Sequence, residues 1–147
     1  MVDTDFLQKD DALIHQIYVT MRLFTKTLNE VIAPYEIYSS EWTMINYLHH
    51  HEEISQADLA AALQIEAAAV SKTLNKMEKK GLVTRSSAKD KREKRISMTP
   101  KCRALFPQLA ASIARHRQQS LAGIPENIRQ DTLQMMQTIF ANLKNSY

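Results

Sequence analysis

The residues best suited to chemistry in this 147-residue chain are cations, and they are gathered together. Between Lys72 and Arg103 stand twelve Lys and Arg against Glu78, Asp90 and Glu93, a local net of +9. The whole chain carries +3, so the remainder carries −6. Each cation set beside a phosphate releases condensed counterions, so such a concentration suits a polyanion surface. The densest part is TRSSAKDKREKRISMTP, from Thr84 to Pro100. Arg85, Lys89, Lys91, Arg92, Lys94 and Arg95 crowd there with little apolar material.

Just before that run lies a helical segment, about Ala67 to Lys80. Val70, Leu74 and Met77 fall on one side of it. Ala68, Lys72, Asn75, Lys76 and Lys79 fall on the other, with no carboxylate among them, and Glu78 sits to the flank. A merely solvated helix face mixes both signs. Asn75 can bridge adenine N6 and N7, and Lys72 can reach guanine O6 or N7, or a phosphate. Ala67, Ala68 and Ala69 offer only methyl groups, which suit the thymine methyl. Gln56 and Ser71 complete the expected contact set on the helical part. In the basic run, Arg92 suits a narrow minor groove, with Asp90 two residues earlier to hold its guanidinium. Lys89, Lys91 and Lys94 would neutralise backbone, and Arg85 joins the expected DNA contacts.

These groups need elements to hold them. The composition, with 2 Gly and 4 Pro, favours helix. Leu13, Ile17, Met21, Phe24, Leu28 and Ile32 form one stripe on a helix from about Asp10 to Ala33, stopped by Pro34. A second helix begins near Ser39 or Ser40, either of which can cap it, and turns Trp42, Met44, Ile45 and Leu48 inward. Ser55 with Asp58 three residues on opens a short helix whose buried side is Leu59, Ala60 and Leu63. A tight link at Gln64–Ile65–Glu66 leads to the cationic helix, which stops at Gly81. Leu82–Arg85 and Arg95–Met98 read as two strands of a hairpin around the basic loop. Thr99 caps a long helix with Pro100 at its first position, running to about Leu121. Pro125 starts a last helix, striped by Ile128, Thr132 or Leu133, Met135 or Met136, Ile139, Phe140 and Leu143.

Two short helices, a tight turn and a basic hairpin make a winged helix-turn-helix, whose second helix enters the major groove. The expected fold is mainly α with a small β-hairpin wing. From Ile37 to about Leu105 the chain resembles the MarR family of bacterial transcription regulators. The resemblance rests on IYSSEWTMINYL, SQADLAAALQIEAAAVSKTLNKMEKKGLVTR and DKREKRISMT, and most specifically on KMEKKGLVTR leading to Asp90 and Arg92. It implies a homodimer on a pseudo-palindromic double-stranded DNA operator. Residues 1–36 and 100–147 would form the dimerisation region and 37–99 the winged helix. It further implies Arg92 in the minor groove, the Ala67–Lys79 helix in the major groove, and repression released by a small molecule or stress signal. The rival reading is a winged helix whose basic face binds an acidic protein partner.

Other residues invite chemistry. His15, Tyr18, Arg22 and Trp42 could border an effector cavity. Cys102, between Lys101 and Arg103, could have a lowered thiol pKa, although a lone cysteine is more often a buried apolar group. His49, His50 and His51 point about 100° apart on a helix and do not converge on one metal ion. No Gly-rich phosphate loop, zincin motif or Ser or Cys elbow occurs, so neither an enzyme nor a cofactor is expected. One cysteine, an acidic start from Met1 to Asp11 and no long apolar run fit a reducing, cytoplasmic setting without a membrane span.

Overall fold

The computed structural model describes residues 4–87 and 94–147. The elements in order are α1 (Thr4–Ile32), a 3₁₀ turn (Ala33–Tyr35), α2 (Ser39–His49), β1 (Ile54–Ser55), α3 (Gln56–Leu63) and α4 (Ala67–Lys79). There follow β2 (Val83–Ser87), β3 (Lys94–Met98), α5 (Pro100–Ser120) and α6 (Glu126–Ser146). The chain forms two compact units, Met1–Ala114 and Arg115–Tyr147.

The first helix begins at Thr4, earlier than the expected Asp10. No Gly or Pro interrupts good helix formers before Pro34, so nothing stops the helix from extending back. Pro34 ends it, and the chain turns through a left-handed Glu36, φ 57°, whose N–H donates to the Ala33 carbonyl at 2.9 Å. The cap of α2 differs from expectation. Tyr38 is the cap residue, and its backbone N–H donates to Glu41 Oε1 at 3.0 Å. Ser39 instead donates its N–H to Asn29 Oδ1 at 2.7 Å, tying α2 to α1.

Ser55 caps α3 as its spacing with Asp58 predicts, its Oγ accepting the Asp58 N–H at 3.1 Å. The link to α4 turns at Gln64, a left-handed residue with φ 55°. The end of α4 is a Schellman arrangement: Leu82 N–H reaches the Met77 carbonyl at 2.9 Å and Gly81 N–H the Glu78 carbonyl at 3.0 Å. Gly81 has φ 73°, a conformation that only glycine adopts without penalty.

The sheet has three strands, not the two of a simple hairpin, in the order β1-β3-β2. Ile54 pairs with Ile96 and Arg85 also pairs with Ile96, on opposite sides of β3. A strand of two residues has too little alternation to announce itself. Thr99 then caps α5, its Oγ1 accepting the Cys102 N–H at 3.2 Å.

The core of the first unit gathers Ile32, Met44, Ile45, Leu59, Val70, Leu74, Met77, Ile96 and Leu109. Burying each of the larger aliphatic side chains contributes about 2 kcal/mol. All three inward positions of α4 are therefore anchored, which fixes its opposite face outward. The α1 stripe divides. Leu28 and Ile32 are buried, while Leu13 and Met21 are 44% and 55% exposed. On α6 the expected stripe is largely open, with Ile128, Leu133, Phe140 and Leu143 all exposed.

Candidate nucleic-acid interface

The outward face of α4 is as its spacing predicts. Ala68, Lys72, Asn75, Lys76 and Lys79 are exposed, and Ser71 is half-buried. The helix carries a single carboxylate, Glu78, and it is engaged: Arg85 Nε on β2 lies 3.2 Å from Glu78 Oε2. Arg85 Nη2 also donates to the Ser71 carbonyl at 3.2 Å. Its side chain is only 12% exposed. Arg85 thus reaches from the wing to α4 instead of outward, and its charge is directed at Glu78. Among the described residues, α4 itself supplies exposed cations to this face: Lys72, Lys76 and Lys79.

Gln56 opens α3, half-buried, and its Oε1 has no hydrogen-bond partner among the described residues. Ser86 and Arg95, paired across β2 and β3, carry the ladder toward the wing tip, and Ser87 pairs with Lys94. Asp90, Lys91 and Arg92 lie outside the described residues, as does the side chain of Lys94.

The last turn of α4 is held by contacts that sequence reasoning missed. Lys80 Nζ lies 2.7 Å from Glu41 Oε1 and donates to the Glu36 carbonyl at 2.8 Å. It also sits 4.9 Å from the centre of the Tyr38 ring. Glu41 is buried, 1% exposed. A signal existed: Glu41 stands three residues after Tyr38, the position from which an acidic side chain returns to a helix cap.

The four residues expected to border an effector cavity differ in burial. His15, Tyr18 and Arg22 are exposed on α1. Trp42 is buried and stacked on Phe106, ring centres 5.8 Å apart. A cleft of about 670 Å³ lies elsewhere in the first unit. Tyr35, Tyr38, Lys79, Lys80, Lys101 and Leu105 are among its walls.

The histidines are taken up by the end of α2. His49 stacks on Phe106 at 3.6 Å, and the Nδ1 atoms of His50 and His51 lie 2.8 and 2.9 Å from the Asn46 and Tyr47 carbonyls. Among the described residues no three His, Cys, Asp or Glu side chains group to hold a metal ion. Cys102 is buried, and burial pushes its thiol up from 9.0 to about 11. Cys102 is thus the small buried apolar group that a lone cysteine more often is, and desolvation disfavours its thiolate. No described helix is long and apolar enough to cross a membrane.

Comparison with known proteins places this geometry. The profile of the MarR family matches residues 38–93, from the cap of α2 into the wing. The HTH-type transcriptional regulator YwoH of Bacillus subtilis (strain 168) is 31% identical over 110 residues, covering 75% of this chain and 80% of that one. A mutant MarR from E. coli, solved in complex with operator DNA, superposes with a TM-score of 0.81 at 17% identity, over 92% of this chain and 99% of that one. Staphylococcus aureus MarR, solved with salicylate and kanamycin, superposes with a TM-score of 0.79 at 20% identity, over 97% of each chain.

Proposed function

The chain belongs to the MarR family of transcriptional regulators, and from that premise we propose that it is a homodimeric repressor of pseudo-palindromic operators. Residues 1–36 and 100–147 build the dimerisation region, and 37–99 the winged helix. Each α4 lies in a major groove, the two helices about one DNA turn apart, roughly 34–36 Å. Arg92, from the wing, enters the adjacent minor groove, where A·T tracts concentrate negative potential. The protein works in the cytoplasm and needs no cofactor.

The observation that carries this reading is the outward face of α4. Lys72, Asn75, Lys76 and Lys79 are all exposed there, and the one carboxylate of the helix is occupied by Arg85. Phosphates and base edges are thus met by cations and an amide, with the one carboxylate of α4 at the flank and partly offset by Arg85. Ala67, Ala68 and Ala69 at the start of the helix supply few hydrogen bonds, so shape and wing contacts carry much of the specificity.

Release by a small molecule fits the cleft of about 670 Å³, because its walls include the residues that hold the last turn of α4. Its two tyrosines and three lysines suit an amphipathic anion. The S. aureus relative solved with salicylate supports such a class of effector.

The test is selection of bound duplexes from a random pool, followed by titration of the best sequence in dilute and physiological salt. Two inverted half-sites and steep weakening with salt are expected. No preference for any duplex, with tight binding to an acidic protein instead, would overturn the proposal.

A further inference from the structure

We infer that Lys80, steered by Glu41 onto the Glu36 carbonyl, sets the pose of α4 relative to α1 and the start of α5, and so determines which half-site spacing the dimer accepts. This rests on the dimeric DNA-binding reading above.

Lys80 is the first residue past α4, where the Schellman turn ends the helix. Its ammonium leaves the DNA side and reaches the junction between α1 and α2. There it meets the Glu36 carbonyl at 2.8 Å and Glu41 Oε1 at 2.7 Å. Glu41 Oε1 also accepts the Tyr38 N–H at 3.0 Å, so one buried oxygen joins the cap of α2 to the end of α4. The start of α5 grips the same turn from its own side. Lys101 Nζ donates to the Lys80 carbonyl at 2.8 Å, and Thr99 Oγ1 to the Gly81 carbonyl at 2.6 Å. Both gripping segments adjoin the helices assigned to dimerisation. The C-terminal end of α4 is therefore its pivot.

Leverage does the rest. A helix of 13 residues is about 20 Å long, so a tilt of the packed winged helix by about 5° about this pivot moves the first turn of α4 by about 2 Å. In a dimer that displacement occurs at both half-sites. An ion pair with a buried carboxylate and a partly exposed ammonium is weak support for stability, because desolvation offsets its attraction. What it supplies is direction: a buried carboxylate left without its ammonium is strongly penalised, so alternative poses of the pivot are suppressed.

The experiment uses the full chain and a selected operator whose central spacer is shortened or lengthened by one or two base pairs. Wild type should lose about a hundredfold when two base pairs are added, since one helix then meets its groove out of phase. Glu41→Gln keeps the acceptor for Tyr38 but weakens the bond to Lys80. It should lose about tenfold on the preferred spacer and discriminate less than about tenfold across the series. Lys80→Arg, which keeps the charge and several donors, should retain the sharp preference. Lys80→Gln is run alongside, so that one unfolded variant does not decide the matter. Equal weakening on every spacer, with the optimum and its sharpness unchanged, would overturn the inference by leaving the pair a purely structural contact. Failure of wild type to bind any duplex would instead sink the functional reading on which it stands.

Discussion

Arg85 Nε on β2 lies 3.2 Å from Glu78 Oε2 on α4, and the same guanidinium donates to the Ser71 carbonyl at 3.2 Å. One side chain thus links β2 to α4 and sets a cation beside the single negative charge of α4, partly offsetting it. On the proposed reading, such a residue would act on binding through α4 and not by a phosphate contact of its own. Arg85→Ala should weaken duplex binding while leaving the slope of log K against log salt unchanged, because no phosphate contact is lost. A slope reduced by about 0.9 would place the guanidinium on a phosphate instead.

The exposed cations of α4 should behave in the opposite way. Lys72→Ala and Lys76→Ala should each weaken binding to all duplexes about equally and reduce the salt slope by about 0.9. Asn75→Ala should cost about 1–3 kcal/mol on the selected operator and relax preference at one base pair. Binding titrations at four or five salt concentrations, with single-base operator variants, separate the two classes.

The wing arginine completes the set. Arg92→Ala should lower affinity for operators flanked by A·T tracts more than for G·C-flanked ones, since a narrow minor groove is what attracts the guanidinium. The dimer should stay intact by sedimentation. Equal losses on both flanks would remove Arg92 from the minor groove.

Legibility in the sequence followed the range of the signal. Ser55 with Asp58, Gly81 and Thr99–Pro100 announce caps and stops, because those interactions are local, and each stands where its spacing puts it. The outward face of α4 was readable because Val70, Leu74 and Met77 determine its opposite. The Lys80–Glu41 pair was not, since 39 positions separate residues that meet only after α4 docks on α2. Arg85 reads as one more cation of the basic loop until strand register shows it 14 positions from Ser71 and beside its carbonyl. The stacking of Trp42 on Phe106 was equally hidden, since the two rings stand on helices far apart in the chain.

Cys102 gives a pH dependence of definite sign. Its folded thiol titrates near 11 and the unfolded one near 9.0. A neutral buried thiol keeps its proton longer in the fold, so the unfolded chain binds fewer protons between those values. Stability is therefore full below about pH 9 and falls as pH rises toward 11, by on the order of 2 kcal/mol. Thermal melts of wild type and Cys102→Ala from pH 8 to 11 isolate this residue, since other groups titrate in both. Wild type should lose more on the alkaline side. At pH 7 the thiol should also resist alkylation until the protein unfolds.

The apolar face of α6 yields the last prediction. Leu133, Phe140 and Leu143 are 54%, 49% and 58% exposed in the single chain, and Met135 and Met136 are 37% exposed. Soluble monomers seldom leave so many large apolar side chains of one helix in water. Tyr18 and Met21 on α1, 64% and 55% exposed, present a second apolar surface. Covering both by a second copy would bury hydrophobic area in the manner of an obligate dimer. Phe140→Asp combined with Leu143→Asp places two charges on the α6 surface. Analytical ultracentrifugation should then find a monomer, with helical circular dichroism largely kept. Affinity for the two-half-site operator should fall by about 10²–10⁴, the avidity lost when each winged helix must bind alone. A monomeric wild type, or a dimer undisturbed by the double substitution, would move the subunit interface away from α6.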